Sequence, residues 1–198
     1  LYSGRVTRII AGAAGSLSLE VPESGTRPTS DRVREALFSA VESWCGTLAG
    51  LRVLDLYAGS GALGLEACSR GAAHALLVER DRRTAAVIST NVRALGLTGA
   101  RVVTGAVRTV LASAPDQPYD LVLADPPYPL DDDEVEADLA ALVEHRWLAP
   151  DALVVVERGR RSPEPAWPVG FTGQRRRKYG ETTLWSAEWP GPSAQPEE

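Results

Sequence analysis

The sequence predicts an α/β fold in which a mostly parallel sheet is covered by helices on both faces. Between residues 51 and 157, apolar runs of strand length alternate with segments of helical periodicity. The first of these strands, residues 51–57, leads into the glycine turn Gly59-Ser60-Gly61. A later strand, residues 120–124, leads directly into Asp125-Pro126-Pro127-Tyr128. Both polar segments therefore fall at strand ends, where ligands bind in folds of this class.

A small β-hairpin and a helix are predicted before the sheet. Strand-like patterns over residues 6–10 and 16–21 flank a turn rich in Gly and Ala, so we expect residues 1–25 to form a hairpin outside the main sheet. Thr29 or Ser30 is suited to cap the helix that follows. The apolar stripe of that helix consists of Val33, Ala36, Leu37, Ala40 and Val41. The main domain is expected to span residues 26–189.

The main domain is predicted to alternate strands with helices and to end in an antiparallel hairpin. Strands are predicted at residues 51–57, 73–79, 101–104, 120–124 and 152–157, and helices at residues 62–70, 82–95, 107–113 and 134–147. Prolines at 163, 165 and 168 end this alternation, and extended pieces around residues 169–172 and 181–188 are expected to pair at the sheet edge. Residues 190–198 are expected to form a disordered tail.

Composition argues against several classes of protein. No stretch approaches the ~20 apolar residues of a membrane helix, and no signal peptide is apparent, so we expect a cytoplasmic protein without membrane contact. Cys45 and Cys68 lack the spacing of a metal site or a disulfide framework, and we expect no metal. The net charge of −5 argues against a protein that grips nucleic acid over its whole surface. Basic residues nevertheless cluster near the N-terminus and at residues 175–178, which predicts a local positive surface.

The glycine turn is predicted to bind a nucleoside-containing cofactor. Glycine allows a positive φ and a close approach of the backbone, and the first N–H groups of the next helix point at the ligand. Gly59, Gly61 and Gly64 also fit the dinucleotide fingerprint, so the glycines alone leave a nicotinamide cofactor open. Asp55 favours S-adenosylmethionine (SAM), because SAM-dependent enzymes keep an acid there facing the cofactor. Glu79 is predicted to accept hydrogen bonds from the ribose hydroxyls. The predicted cofactor-binding residues are Asp55, Tyr57, Ala58, Gly59, Gly61, Glu79, Arg80 and Ala106.

The Asp125-Pro126-Pro127-Tyr128 motif predicts methylation of a planar amino group. The lone pair of such an amine is delocalised into the ring, so transfer requires in-line approach and localisation of that pair. Asp125 can accept one amine hydrogen and the carbonyl of Pro126 the other, which stabilises the positive charge developing on nitrogen. Pro127 stiffens the segment, and the ring of Tyr128 offers a face on which an extruded base can stack. These four residues are the predicted catalytic residues.

The motifs resemble the RsmD-like family of bacterial methyltransferases, which modify the exocyclic N2 of a guanine in small-subunit (16S) ribosomal RNA. The similar segments are residues 8–12, 27–38, 55–64 and 125–128. The resemblance implies a seven-stranded, Rossmann-like, SAM-dependent methyltransferase fold with an N-terminal hairpin, and an rRNA substrate presented on the assembled 30S subunit. Tyr57 stands where the general methyltransferase signature has glycine. By this analogy the substrate RNA contacts Arg8, Arg27, Arg32, Arg34, Lys178 and Tyr179. We expect the enzyme to be a monomer.

Other functions share part of this pattern. A DNA adenine-N6 or cytosine-N4 methyltransferase uses the same amine chemistry but normally needs a sizeable target-recognition region. A protein glutamine methyltransferase usually has Asn at the position of Asp125. A nicotinamide-dependent oxidoreductase fits the glycines and Glu79, yet it gives no role to residues 125–128. A non-catalytic RNA-binding module would need neither the cofactor turn nor the amine-binding motif.

Overall fold

The structure is a computed structural model that describes residues 7–22, 30–127 and 130–192. Within these ranges the chain forms a seven-stranded sheet, a separate two-stranded hairpin and five helices. Every helix in the described ranges falls short of the length and apolar character that a membrane crossing requires. The elements in chain order are β1 (Thr7–Arg8), β2 (Ser18–Leu19), α1 (Asp31–Cys45), β3 (Arg52–Leu56), α2 (Ala62–Ser69), β4 (His74–Glu79), α3 (Arg82–Leu95), β5 (Ala100–Thr104), α4 (Val107–Leu111), β6 (Tyr119–Ala124), α5 (Asp132–Glu144), β7 (Leu148–Gly159), β8 (Thr172–Tyr179) and β9 (Thr182–Trp189).

The sheet has the strand order β5-β4-β3-β6-β7-β9-β8. The first five strands in this order are parallel, whereas β9 pairs antiparallel with both β7 and β8. The strand order reverses between β3 and β6, and such a reversal opens a crevice at the carboxyl ends of the two strands. The predicted Rossmann-like sheet with a terminal antiparallel hairpin is confirmed.

Two apolar cores cover the two faces of the sheet. Val53 and Leu54 are both fully buried but belong to different cores, because successive side chains of a strand point to opposite faces. One core includes apolar residues of α1, α2 and α3, and the other includes those of α4 and α5. Burial on both faces explains why the central strands are continuous apolar runs in the sequence.

The N-terminal hairpin is bound to helix α2. The buried carboxylate of Glu66 accepts hydrogen bonds from the backbone N–H groups of Ile10 (2.7 Å) and Ala11 (3.0 Å). Ile9 and Leu19 join the apolar core that contains α1 and α2. The prediction of a hairpin outside the main sheet is confirmed, although its paired strands have two residues each. The ends of the predicted hairpin, residues 1–6 and 23–25, and the tail from residue 193 lie outside the described ranges.

Two strands begin at residues that differ by three or more from their predicted starts. The first strand of the terminal hairpin was expected around residues 169–172 but is Thr172–Tyr179, which is exposed along nearly its whole length as an edge strand. Its run of basic residues lacks the apolar alternation by which strands are predicted. Strand β7 begins at Leu148 rather than at residue 152, because the chain turns at Arg146 (φ 59°) immediately after α5.

Candidate active site

A cleft opens at the carboxyl ends of β3, β4 and β6, where the strand order reverses. The glycine turn after β3 and the proline-rich segment after β6 both line it, as the sequence predicted. The terminal hairpin reaches the same cleft through the turn between β8 and β9. Of the predicted site residues, those that line the cleft are Arg32, Asp55, Tyr57, Ala58, Gly59, Glu79, Arg80, Ala106, Asp125, Pro126, Pro127, Lys178 and Tyr179.

Gly61 shapes the turn but does not line the cleft. Its N–H donates to the carbonyl of Ala58 (2.7 Å), and its φ of 80° lies in the left-handed region. A Cβ at this position would come within 2.9 Å of the side chain of Ile88 on α3. Glycine is therefore required by both backbone conformation and packing, since other residues rarely adopt this φ. Gly61 therefore has a structural role in the turn, and its contact with a cofactor stays a prediction.

Asp55 lies beneath the glycine turn at the end of β3. It is almost fully buried, and its Oδ2 accepts a hydrogen bond from the backbone N–H of Gly64 (2.8 Å). A Cβ at Gly64 would lie 3.0 Å from that same oxygen and 2.8 Å from the side chain of Leu77. The glycine thus allows the start of α2 to approach the carboxylate closely, and the hydrogen bond holds the helix against β3.

The charge of Asp55 is poorly compensated. Burial raises the pKa of its carboxyl group from 3.8 to about 8, and the nearby charges of Asp125 and Glu79 act in the same direction. Its second oxygen, Oδ1, is buried and makes no hydrogen bond within the described part of the chain. A cationic or hydrogen-bond-donating ligand group at this oxygen would satisfy it and favour ionisation.

Glu79 connects three parts of the cleft. It ends β4, and its Oε2 accepts from the backbone N–H of Gly59 (3.0 Å) while its Oε1 accepts from the N–H of Asp81 (2.8 Å). Asp81 in turn caps α3 by accepting from the N–H of Thr84 (2.8 Å). Because each carboxylate oxygen can accept more than one hydrogen bond, Glu79 retains capacity for a ligand hydroxyl. The structure assigns Glu79 a scaffold role that the sequence did not indicate.

The segment after β6 begins beside the end of β3. The backbone N–H of Asp125 donates to the carbonyl of Leu56 (3.4 Å), and Pro126 is buried. Further along the chain, the N–H of Leu130 donates to the carbonyl of Pro127 (2.8 Å). Asp125 is half-buried and near enough to Asp55 for its charge to affect the pKa of that residue. The predicted base-stacking residue, Tyr128, lies outside the described ranges.

A partly buried polar network that was not predicted from the sequence lies beside the glycine turn. Tyr57 adopts a φ of 63°, which explains why a general signature has glycine there, and its hydroxyl donates to Oδ2 of Asp138 on α5. The other oxygen of Asp138 lies 3.5 Å from Nε of Arg108 on α4. Burial raises the pKa of Asp138. The sequence does contain a signal for the burial of Asp138, because this acid falls inside the apolar stripe of α5, between Val135 and Leu142.

Arg158 is a second residue that the sequence did not single out. Its Nη2 donates to the carbonyl of Leu130 (3.2 Å) and to Oδ1 of Asp132 (2.5 Å). These bonds join the end of β7 to the chain that follows the Asp125-Pro126-Pro127 segment. Only 9% of its side chain is exposed. Arg158 is followed closely by Arg160 and Arg161, and nothing in the sequence distinguishes it from these two neighbours.

The predicted RNA-binding residues have different environments. Arg32, Lys178 and Tyr179 line the cleft, whereas the exposed Arg8 lies apart from it and pairs with Asp31 (3.3 Å). Arg27 lies outside the described ranges. The prediction for Arg34 is wrong, because its side chain is fully buried. The Nη2 of Arg34 donates to the carbonyl of Arg8 (2.6 Å) and to Asp31 (2.7 Å), so it fixes the hairpin to the start of α1.

The sheet topology and the cleft define a Rossmann-like methyltransferase domain. Residues 7–188 match the family model described as conserved hypothetical protein 95. The ribosomal RNA small subunit methyltransferase D of Escherichia coli K12 is 37% identical over 195 residues, which cover 96% of this chain and 94% of that protein. The chain belongs to the RsmD family.

The solved E. coli protein yhhF has a TM-score of 0.84 and 33% identity, covering 94% of this chain and 99% of that one. A solved protein from Thermus thermophilus has a TM-score of 0.78 and 36% identity, covering 92% of this chain and 99% of that one.

The family implies a methyl donor of the SAM type, and the residues of the cleft fit such a group. Oδ1 of Asp55 is a buried acceptor that makes no hydrogen bond among the described residues, and SAM carries a cationic ammonium group and a sulfonium. Glu79, at the end of the adjacent strand β4, can accept hydrogen bonds from the ribose hydroxyls of such a cofactor. No group of three or more acidic, histidine or cysteine residues in the described ranges is arranged to hold a metal ion.

Proposed function

We propose that this protein transfers a methyl group from SAM to the exocyclic N2 of a guanine in 16S rRNA, on assembled small subunits. The observation that carries the proposal is the meeting of Asp55 and Asp125 in one cleft, at the ends of adjacent strands β3 and β6. Asp55 lies at the end of β3 beneath the proposed cofactor turn, and Asp125 begins the proposed amine-binding motif. The RNA substrate is supported by the E. coli relative, which is a ribosomal RNA small subunit methyltransferase.

The cofactor part of the cleft is built from the first half of the sheet. SAM, when bound, supplies a methyl group made electrophilic by a positively charged sulfur. Asp55 would hold the positively charged part of the cofactor, and Glu79 would accept from its ribose hydroxyls. The backbone of Tyr57, Ala58 and Gly59 allows close approach, and Arg80 and Ala106 line the side where the adenine would lie. Position 106 carries alanine and not an acidic residue, so backbone groups there would contact the adenine.

Asp125 and Pro126 would bind the amine. The Asp125 carboxylate accepts one N–H and the Pro126 carbonyl the other, which localises the nitrogen lone pair. That pair would form the new N–C bond to the methyl group that SAM supplies, and the electrons of the broken C–S bond would remain on the cofactor sulfur. The alkylated amine then loses a proton, which Asp125 can accept and pass to solvent. Pro127 keeps the segment rigid, and Tyr128 would stack against the flipped guanine.

The substrate side of the cleft supports an RNA already shaped by an assembled particle. Arg32, Lys178 and Tyr179 border the cleft, and Arg27 belongs to the same predicted basic surface. The basic residues near the N-terminus are offset by acids; Arg8, for example, pairs with Asp31. Weak attraction for free RNA favours recognition of a preformed surface over capture of an unstructured strand. We propose that the enzyme acts as a monomer.

Methyl transfer from labelled SAM tests this proposal. The substrates are small subunits lacking the modification, naked 16S rRNA, DNA and a protein extract, each followed by digestion to nucleosides or amino acids. We expect label in N2-methylguanosine from small subunits. Label in adenine or cytosine of DNA, or in glutamine, would retain the amine chemistry and replace the substrate. Light scattering of the protein alone and bound to subunits tests the monomer.

A further inference from the structure

Strand β8 carries four consecutive cations on an exposed edge of the sheet. They are Arg175, Arg176, Arg177 and Lys178. Among the described strands β8 pairs only with β9, so its other side presents backbone groups that the sheet does not use. Arg175 and Arg177 point to one face of the sheet and Arg176 and Lys178 to the other, because side chains alternate along a strand. Cations therefore surround the edge on both faces.

Arg176 and Arg177 are the cations most available to a partner. Arg175 lies 3.8 Å from the carboxylate of Glu188, whereas no carboxylate in the described part of the chain lies within ion-pair distance of Arg176 or Arg177. The guanidinium of Arg176 lies over the ring of Trp185, 5.5 Å from its centroid, which orients the side chain on the surface. In a protein with a net charge of −5, this basic edge departs strongly from the average surface.

The basic edge leads into the cleft. Lys178 and Tyr179 end β8 and line the cleft together with the turn residues Gly180 and Glu181. Arg176 and Arg177 precede them in the same extended strand, so they lie within about 10 Å of the cleft along the strand axis. A nucleic-acid chain whose base enters the cleft would pass along this edge on one side of the target nucleotide.

We propose that β8 binds the phosphate backbone of the RNA next to the target guanine, with Arg176 and Arg177 as the main phosphate contacts. The inference rests on the proposed function, since it assumes an RNA substrate. Guanidinium groups bind phosphate oxygens with two parallel hydrogen bonds, and edge N–H groups can add to them. Such contacts set the register of the RNA and depend on salt without reading its sequence.

Cations on an edge strand have a competing explanation, which is protection against pairing with another chain. The opposite edge of the same sheet, β5, carries a single arginine, Arg101. Protection therefore does not explain four successive cations at the edge that adjoins the cleft, and both edges can be compared in one experiment.

The test compares the variant R176Q/R177Q with the matched variant R93Q/R101Q, which removes the same charge at the far edge and on α3. The rate of methyl transfer to small subunits is measured against subunit concentration at several salt concentrations. We expect R176Q/R177Q to raise the subunit KM and to reduce the slope of log(kcat/KM) against log salt by about 1.4 to 1.8. Between about 50 and 200 mM salt, this change corresponds to roughly a tenfold smaller loss of kcat/KM than in the wild type. R93Q/R101Q should keep the wild-type slope.

Further measurements separate the explanations. R176K/R177K should recover most of the salt slope, because lysine retains the charge, and equal affinity for SAM shows that the Gln variant is folded. Equal slopes for the two Gln variants would overturn the proposal. Self-association of R176Q/R177Q with wild-type kinetics would also overturn it, because that result would assign the cations to edge protection. Weaker binding of R176Q/R177Q to subunits with unchanged binding to a naked rRNA fragment would overturn it too, because that result would indicate a contact with a ribosomal protein. If the wild type labels no rRNA, the proposed function fails, and the binding of the naked fragment still tests β8 separately.

Discussion

The guanidinium of Arg158 contacts the carboxylate of Asp132 at 2.5 Å, across the chain that follows the proposed amine-binding motif. The same nitrogen also donates to the carbonyl of Leu130. Arg158 is held at the end of β7, which pairs with β6 up to Ala124, the residue before Asp125. The segment that leaves Asp125 is therefore fixed at both ends, by strand pairing before it and by Arg158 after it.

Replacing Arg158 should impair turnover more than cofactor binding. R158Q releases Leu130 and Asp132, so the segment loses its anchor, and small displacements of a reacting group can lower rates by about a hundredfold. We expect kcat to fall by about 10- to 100-fold with little change in SAM affinity, as measured by calorimetry. The control is R160Q, whose side chain forms an exposed pair with Glu181 at 3.5 Å. Equal effects of R158Q and R160Q on kcat would contradict the anchoring role.

Asp125 should be required for methyl transfer but dispensable for binding of SAM. D125A removes the acceptor for one amine hydrogen, and we expect kcat to fall by at least about 10²-fold, the size seen when a preorganised polar partner is lost. Single-turnover transfer and calorimetry measure the two effects separately. D133N is the control, because it removes an equal charge from the exposed first turn of α5. Loss of SAM binding in a folded D125A protein would move Asp125 to the cofactor site.

The central features of the site could be predicted because both lie at the ends of buried parallel strands. The apolar runs of β3 and β6 and the glycines between β3 and α2 are local signals, and parallel topology brings the two strand ends together. Tertiary contacts decide the rest. Arg34 looks like a surface charge on an amphipathic helix, and only the packing of the hairpin shows that it is buried. Asp138 stands in the apolar stripe of α5, but its partner Tyr57 is 81 residues away and only the folded structure brings the two together. Strand β8 was displaced in the prediction because an edge strand that is exposed on both faces has no apolar period.

The pKa of Asp55 should make the stability of the ligand-free protein depend on pH. The carboxyl group titrates near 3.8 when unfolded and near 8 when folded, so the folded state binds the extra proton between these values. The stability associated with this protonation is complete below about pH 4 and is lost as pH rises through about 8. Urea denaturation of wild type and D55N at several pH values measures it. We expect the stability of D55N relative to the wild type to rise with pH, and a constant difference would show that the two states share one pKa.

Binding of SAM should release this proton. A cation near Oδ1 of Asp55 favours the carboxylate, so below about pH 8 the carboxyl group must deprotonate as the cofactor binds. Calorimetry in two buffers of different ionisation enthalpy measures the proton count. We expect close to one proton released near pH 6.5 for the wild type and a much smaller number for D55N. Equal proton release in the two proteins would place the cationic group away from Asp55.

Two arginines on α1, Arg32 and Arg34, should differ in function: replacing Arg34 should lower stability, and replacing Arg32 should weaken substrate binding. Arg34 is fully buried and bonded to Asp31 and to the backbone of Arg8, so R34Q should lower the free energy of unfolding by about 2–4 kcal/mol. Arg32 is exposed and lines the cleft, so R32Q should change that free energy by less than about 0.5 kcal/mol while raising the KM for small subunits in a salt-dependent way. Urea denaturation and methyl-transfer kinetics on both variants measure the contrast. A stable R34Q protein with a raised subunit KM would return Arg34 to the RNA surface, because a residue that holds the hairpin in place affects folding first.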